Sequence, residues 1–140
     1  MLKRLIQVTA MLAGSMCVYD GSLYAQTPGF AVDVTWAGSR NCFDPQSPPF
    51  TVSGVPTGTR QLRFTMKDLD APNFVHGGGS VAYGGQRRIE RGAFSYRGPC
   101  PPAGQHRYQW TVEALDASGH SLATATVMKK FPPSAPAGRD

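Results

Sequence analysis

The sequence predicts an all-β domain built as a sandwich of two sheets, and three observations lead there. Arg60 to Asp68 and His106 to Leu115 alternate apolar and polar residues with a period of two, the mark of a half-buried strand. Gly 16 and Pro 12 in 140 residues punctuate the chain with turns more often than a helical bundle tolerates. Charged residues make up 16% and hydrophobic ones 41%, which excludes a disordered chain and permits one buried core.

The elements follow in order. Phe30 to Trp36 reads as a strand with Phe30, Val32, Val34 and Trp36 on one face. Gly38 to Pro49 is a loop, and Phe50-Thr51-Val52 is a short strand ended by Ser53-Gly54-Val55-Pro56. In Arg60 to Asp68 the inner face is Leu62, Phe64 and Met66; Pro72 cannot donate to a ladder, so pairing is expected to end near Asp70. Asn73 to Gly79 reads as a glycine-rich loop, Val81 to Tyr83 as a short strand, and Gly84 to Gly92 as a polar, basic connection. After the rigid loop Gly98 to Gly104, the strand His106 to Leu115 turns Tyr108, Trp110, Val112 and Ala114 to one side. Leu122 to Met128 suits a final strand, although Ala123 and Ala125 would also fit a helix. One domain over residues 26–131 is expected, followed by a Pro-rich tail over 132–140.

Residues 1–25 read as an export signal. Lys3 and Arg4 form its positive end, and Leu5 to Val18 is apolar but short for a membrane span. Ser22-Leu23-Tyr24-Ala25 ends in a small residue, which places cleavage after Ala25. Cys17 raises a lipoprotein alternative, against which the bulky Met16 before it argues. A secreted or periplasmic location without a transmembrane segment is the expectation. Loss of Lys3, Arg4 and Asp20 with the signal lowers the formal charge from +5 to +4. That excess attracts anions. It does not indicate nucleic acid, since no dense Lys/Arg tract is interleaved with aromatics; Arg87, Arg88 and Arg91 read as a solvated loop. Cys42 and Cys100 remain, an even pair that is a disulfide candidate in an oxidising compartment. The other reading is two free thiols that never meet.

The residues able to carry chemistry gather at predicted strand ends. Asp68 and Asp70, two apart on an extended segment, are expected to share a face and so to need a donor or cation between them. The bland reading for Asp70 is a turn cap on its own backbone. His76 precedes Gly77, Gly78 and Gly79, whose amides could form an anion-holding concavity. His106 and Tyr108 project from one face as a pair of donors, with core packing as the alternative for Tyr108; Arg107 faces away, toward an acid on the sheet. No Gly-x-Ser-x-Gly turn, His-Glu-x-x-His pair or P-loop occurs, so no nucleophile, metal or cofactor is assigned.

Asp68-Leu69-Asp70-Ala71-Pro72 and Gly104-Gln105-His106-Arg107-Tyr108 resemble the two signature blocks of the phosphatidylethanolamine-binding proteins, in particular their bacterial Raf-kinase-inhibitor-like branch. Ser47-Pro48-Pro49-Phe50, Val55-Pro56-Thr57-Gly58-Thr59 and Tyr96-Arg97-Gly98-Pro99-Cys100-Pro101-Pro102 lie in matching order. The resemblance implies a Greek-key β-sandwich, here a short member without a long C-terminal helix, with an anion-binding pocket at one end. It implies a binding protein whose partner is a small anion such as phosphate or a phospholipid head group; a hydrolytic or isomerising enzyme using His76 or His106 stays open as a third reading, ranked last. The alternative it allows is a protein partner, a protease or kinase inhibited by the domain while the pocket is vestigial. The ligand-binding set is then Asp68, Asp70, His76, Pro101, His106 and Tyr108. The family's middle histidine usually sits among tryptophans; here its context is Asn73-Phe74-Val75-His76-Gly77.

Overall fold

The computed structural model describes residues 29–39 and 41–134. The expected signal segment, its cleavage point and the tail beyond Ser134 lie outside the described residues. Among the described residues there is no helix. Seven strands form: β1 (Ala31–Val34), β2 (Phe50–Ser53), β3 (Gln61–Asp68), β4 (Val75–Ala82), β5 (Arg88–Ile89), β6 (His106–Leu115) and β7 (Ser121–Phe131). They make two antiparallel sheets, ordered β1-β2-β5 and β4-β3-β6-β7. The chain leaves β4, contributes β5 to the other sheet, and returns as β6 beside β3, a Greek-key type of connection.

The period-two pattern explains the layers. Leu62, Phe64 and Met66 of β3 and Tyr108, Trp110, Val112 and Ala114 of β6 are buried on the inner face of the larger sheet. Phe50 and Val52 of β2 and Val34 of β1 meet them from the smaller one. The Phe50 ring lies 4.6 Å from Phe64 and 5.0 Å from Trp110, edge to face with the latter. Each such ring removed from water contributes about 1.5–3 kcal/mol. Ala125 opposite Val112 and Ala123 opposite Ala114 settle the last segment as a strand: small residues fit between β6 and the core edge without needing helical spacing.

Two expectations fail here. Asn73 to Gly79 is not a loop, because β4 runs through the glycines. Gly78 pairs with Thr65, and a Cβ on it would run into the Phe64 carbonyl. On Gly79 a Cβ would come 2.5 Å from Cβ of Phe94, whose ring lies over the sheet. Gly77, at φ 75°, sits at the bulge opposite Thr65 to Lys67. Gly78 and Gly79 thus serve close strand packing, and Gly77 the left-handed turn of the bulge. The second failure is Gly84 to Gly92, which contains β5: Ile89 is buried opposite Phe50, a two-residue pairing too short to show a period.

Arg91 is an exposed turn residue, as expected, and it also makes specific contacts. Its guanidinium holds Asp44 at 2.6 Å and also contacts Gln46 and the Gly38 carbonyl, tying down the loop after β1. A second tie is covalent. Cys42 and Cys100 are joined in a disulfide, with Cα atoms 4.7 Å apart, across 58 residues of sequence. It links the loop after β1 to the Pro-rich loop before β6, and both loops border the site described next.

Candidate functional site

A cleft of about 80 Å³ opens at the end of the larger sheet where β3 stops and β4 and β6 begin. Phe43, Asp68, Ala71, Phe74, His76, Cys100, Pro102, His106 and Tyr108 line it. Four of the six residues expected to bind a ligand therefore meet: Asp68, His76, His106 and Tyr108. Asp70 and Pro101 do not. β3 ends at Asp68, so the alternation that would have put Asp70 on the same face stops there. Asp70 is exposed and accepts from the Arg107 amide at 2.6 Å and from Arg107 Nη2 at 2.8 Å. That guanidinium, then the amide, hold its carboxyl down at about 2. Pro102, one residue on, lines the cleft in place of Pro101.

Asp68 is buried and both its oxygens are occupied. Oδ1 accepts from the Asp70 amide at 2.8 Å and the Ala71 amide at 3.0 Å, closing the turn after β3. Oδ2 accepts from Nδ1 of His106 at 2.7 Å. The turn cap is thus the same residue that walls the cleft, and it is Asp68, not Asp70. Burial pushes the Asp68 carboxyl up, but the bonds from His106 and the two amides outweigh it and hold it below 3.8.

His76 and Tyr108 form the floor. His76 is 4% exposed, and its Nδ1 donates to the Arg97 carbonyl at 2.6 Å, while the Arg97 amide returns a bond to the His76 carbonyl at 2.8 Å. Its ring lies 5.4 Å from that of Tyr108, edge to face. Nε2 of His76 and the Tyr108 hydroxyl are both buried and have no hydrogen-bond partner. Asp68 lies near enough to act on the phenol through its charge, but no aligned bond joins them. Burial first, and the Asp68 charge second, raise the Tyr108 hydroxyl well above its ordinary value, so it stays a neutral donor.

The partners also define the hydrogen positions. A carbonyl and a carboxylate can only accept, so Nδ1 carries the hydrogen on both imidazoles. In a neutral ring Nε2 is then an acceptor; it becomes a donor only when the ring takes a second proton. The expectation that His106 simply donates is refined accordingly.

Sequence reasoning missed the rim. Phe43, at φ 56°, stacks on Phe74 with ring centroids 5.9 Å apart, and the Arg97 guanidinium lies over both rings, 5.6 and 5.2 Å from their centroids. The available signal was Phe74 standing two residues before His76, a same-face spacing hidden by reading that segment as a loop.

Comparison with known proteins agrees with the geometry. The sequence model of the family described as phosphatidylethanolamine-binding protein matches residues 74–135, a span holding His76, His106 and Tyr108. The UPF0098 protein YbhB of Escherichia coli K12 is 32% identical over 143 residues, covering 81% of this chain and 84% of that one. A UPF0098 protein of Methanothermobacter thermautotrophicus is 33% identical over 91 residues, 50% of this chain. The chain spans 60% of the length of that relative and of one from Chlamydia pneumoniae. Among solved structures, CT736 of Chlamydia trachomatis, described as a phosphatidylethanolamine-binding protein homologue, superposes with a TM-score of 0.58 at 19% identity, over 76% of this chain and 99% of that one. Escherichia coli YbcL, described as a member of the mammalian family, gives 0.56 at 21% identity, over 74% and 98%. These last two likenesses are of fold.

Proposed function

This chain belongs to the phosphatidylethanolamine-binding protein family, and on that premise we propose that its cleft binds a small oxyanion of the kind a phosphate or a phospholipid head group presents. One observation carries the reading: His76 and Tyr108, each holding a buried polar atom without a partner (Nε2 and the hydroxyl), are among the residues that line a cleft beside His106. An unsatisfied buried polar group costs about 1–3 kcal/mol, a cost that a ligand in the cleft would remove. Asp68 orients His106 and balances its charge when the ring is protonated. His106 and Tyr108 then donate to the anion. The volume suits a tetrahedral group with a few further atoms, while an acyl chain would have to lie outside, past the Phe43 and Phe74 rim.

Calorimetric titration with phosphate at pH 6 tests this. The His106→Ala variant is expected to bind at least about tenfold more weakly, the equivalent of one lost charge-assisted hydrogen bond, while its circular dichroism stays that of the parent. Equal affinity in a folded variant would refute the assignment.

A further inference from the structure

We propose that Arg97 forms a second anion-reading point at the mouth of the cleft, so that the protein ranks highest a phosphate ester whose arm carries a further acid, such as the carboxylate of a phosphoserine head group. This rests on the reading of the cleft as an anion site and adds what the ligand bears beyond its phosphate. Ethanolamine head groups remain ligands and rank lower.

The site itself places Arg97. Its amide donates to the His76 carbonyl at 2.8 Å, and its carbonyl accepts from His76 Nδ1 at 2.6 Å. The backbone that carries the side chain is therefore fixed to the floor of the cleft. At the next residue, Gly98, the chain passes so close to Asp44 that a Cβ would meet the Asp44 carbonyl oxygen at 2.6 Å. That contact and the Cys42–Cys100 bridge press the Arg97 segment against the loop that holds Phe43. The exposed guanidinium lies over Phe43 and Phe74 together, 5.6 and 5.2 Å from their centroids, and both rings line the cleft. A guanidinium stacked by its flat side keeps its N–H edge for a planar oxyanion.

No acid of the protein takes that edge. Each carboxylate among the described residues already has a basic partner. At this end of the molecule Asp44 is held by Arg91, Asp68 by His106 and Asp70 by Arg107. Arg97 has no such partner among them, so its counter-charge comes from outside the described residues. A cation already lies on Phe43 and Phe74, and an ammonium arriving there meets a like charge. A carboxylate meets an unlike one and can be gripped at two points.

The test is calorimetry on the protein at pH 6 with O-phosphoserine and O-phosphoethanolamine, which differ only in one carboxylate. Wild type is expected to bind phosphoserine about fivefold more tightly, the upper end for one exposed ion pair. In Arg97→Gln, neutral and long enough to cover the rings, the two should bind equally, with phosphoethanolamine at its wild-type affinity. Arg97→Lys, which keeps the charge, should keep part of the preference. The same phosphate chemistry can arrive on a lipid or free, so glycerophosphoserine and glycerophosphoethanolamine repeat the comparison as diesters. A preference kept in the diesters points to a lipid head group, and one confined to the monoesters to a free phosphate ester; either upholds the role of Arg97. Equal affinity of wild type for the serine and ethanolamine compounds in both forms overturns this inference and leaves the anion site standing. So does a preference that survives Arg97→Gln, which would assign it to the overall charge, or a variant that weakens both compounds alike, which would assign Arg97 to packing of the rim. Failure of every probe, inorganic phosphate included, overturns the anion site itself.

Discussion

Replacing both Cys42 and Cys100 with serine is expected to lower the thermal midpoint by on the order of 15 °C. The bridge closes 58 residues, and the loss of chain entropy it imposes on the unfolded state corresponds to about 4 kcal/mol. For a domain of about 100 residues each kcal/mol moves the midpoint by about 4 °C or more. The Arg91 contact with Asp44 still holds one of the two loops in the variant, so the native topology should survive. The cleft should suffer more than the core. Cys100 lines it, and Phe43, held in a left-handed backbone conformation that costs a bulky residue energy, is attached directly to Cys42. Differential scanning calorimetry with and without reductant, read beside phosphate affinity, checks both effects. A midpoint unchanged by reduction would mean that the bridge adds nothing to folding.

Asp68→Ala is the second large effect. It removes an acceptor from two backbone amides and leaves Nδ1 of a mostly buried histidine without its partner. Loss of these three bonds at a buried site is expected to cost about 2–4 kcal/mol. The effect also depends on pH. The folded-state value of Asp68 lies below its ordinary 3.8, so its contribution is whole above 3.8 and is lost as the pH falls below it. Asp70, held at about 2 by Arg107, acts in the same direction. Denaturant melts should therefore show wild type and variant differing at neutral pH and converging as acid is added toward about pH 2. A difference that stays constant from neutral pH to acid would assign the loss to packing instead.

Much of this was legible before the fold was known, for physical reasons that differ between segments. β3 and β6 announce themselves because one face is buried and the other wet, which forces the alternation of Leu62, Phe64 and Met66 with Arg63, Thr65 and Lys67. The meeting of Asp68 with His106 follows from the two strands pairing at the register Asp68 opposite Tyr108, which brings the neighbouring face of His106 over the carboxylate. β4 was hidden because its glycines answer to Phe94 and the Phe64 backbone, neighbours distant in sequence. The same tertiary demand explains why the glycines looked like a loop. Asp70 was misplaced because the strand stopped two residues before it, at the turn that Asp68 itself closes. Of the aromatic rim only the spacing of Phe74 from His76 was legible, since Phe43 and Phe74 meet through the loops that the disulfide and Arg91 hold in place.

The most direct measurement is diffraction from crystals of the domain soaked in phosphate. A tetrahedral group is expected within about 3 Å of His76 Nε2, His106 Nε2 and the Tyr108 hydroxyl together. A cleft left empty while phosphate occupies other surfaces, or an anion held by Arg107 and the outer sheet alone, would contradict it.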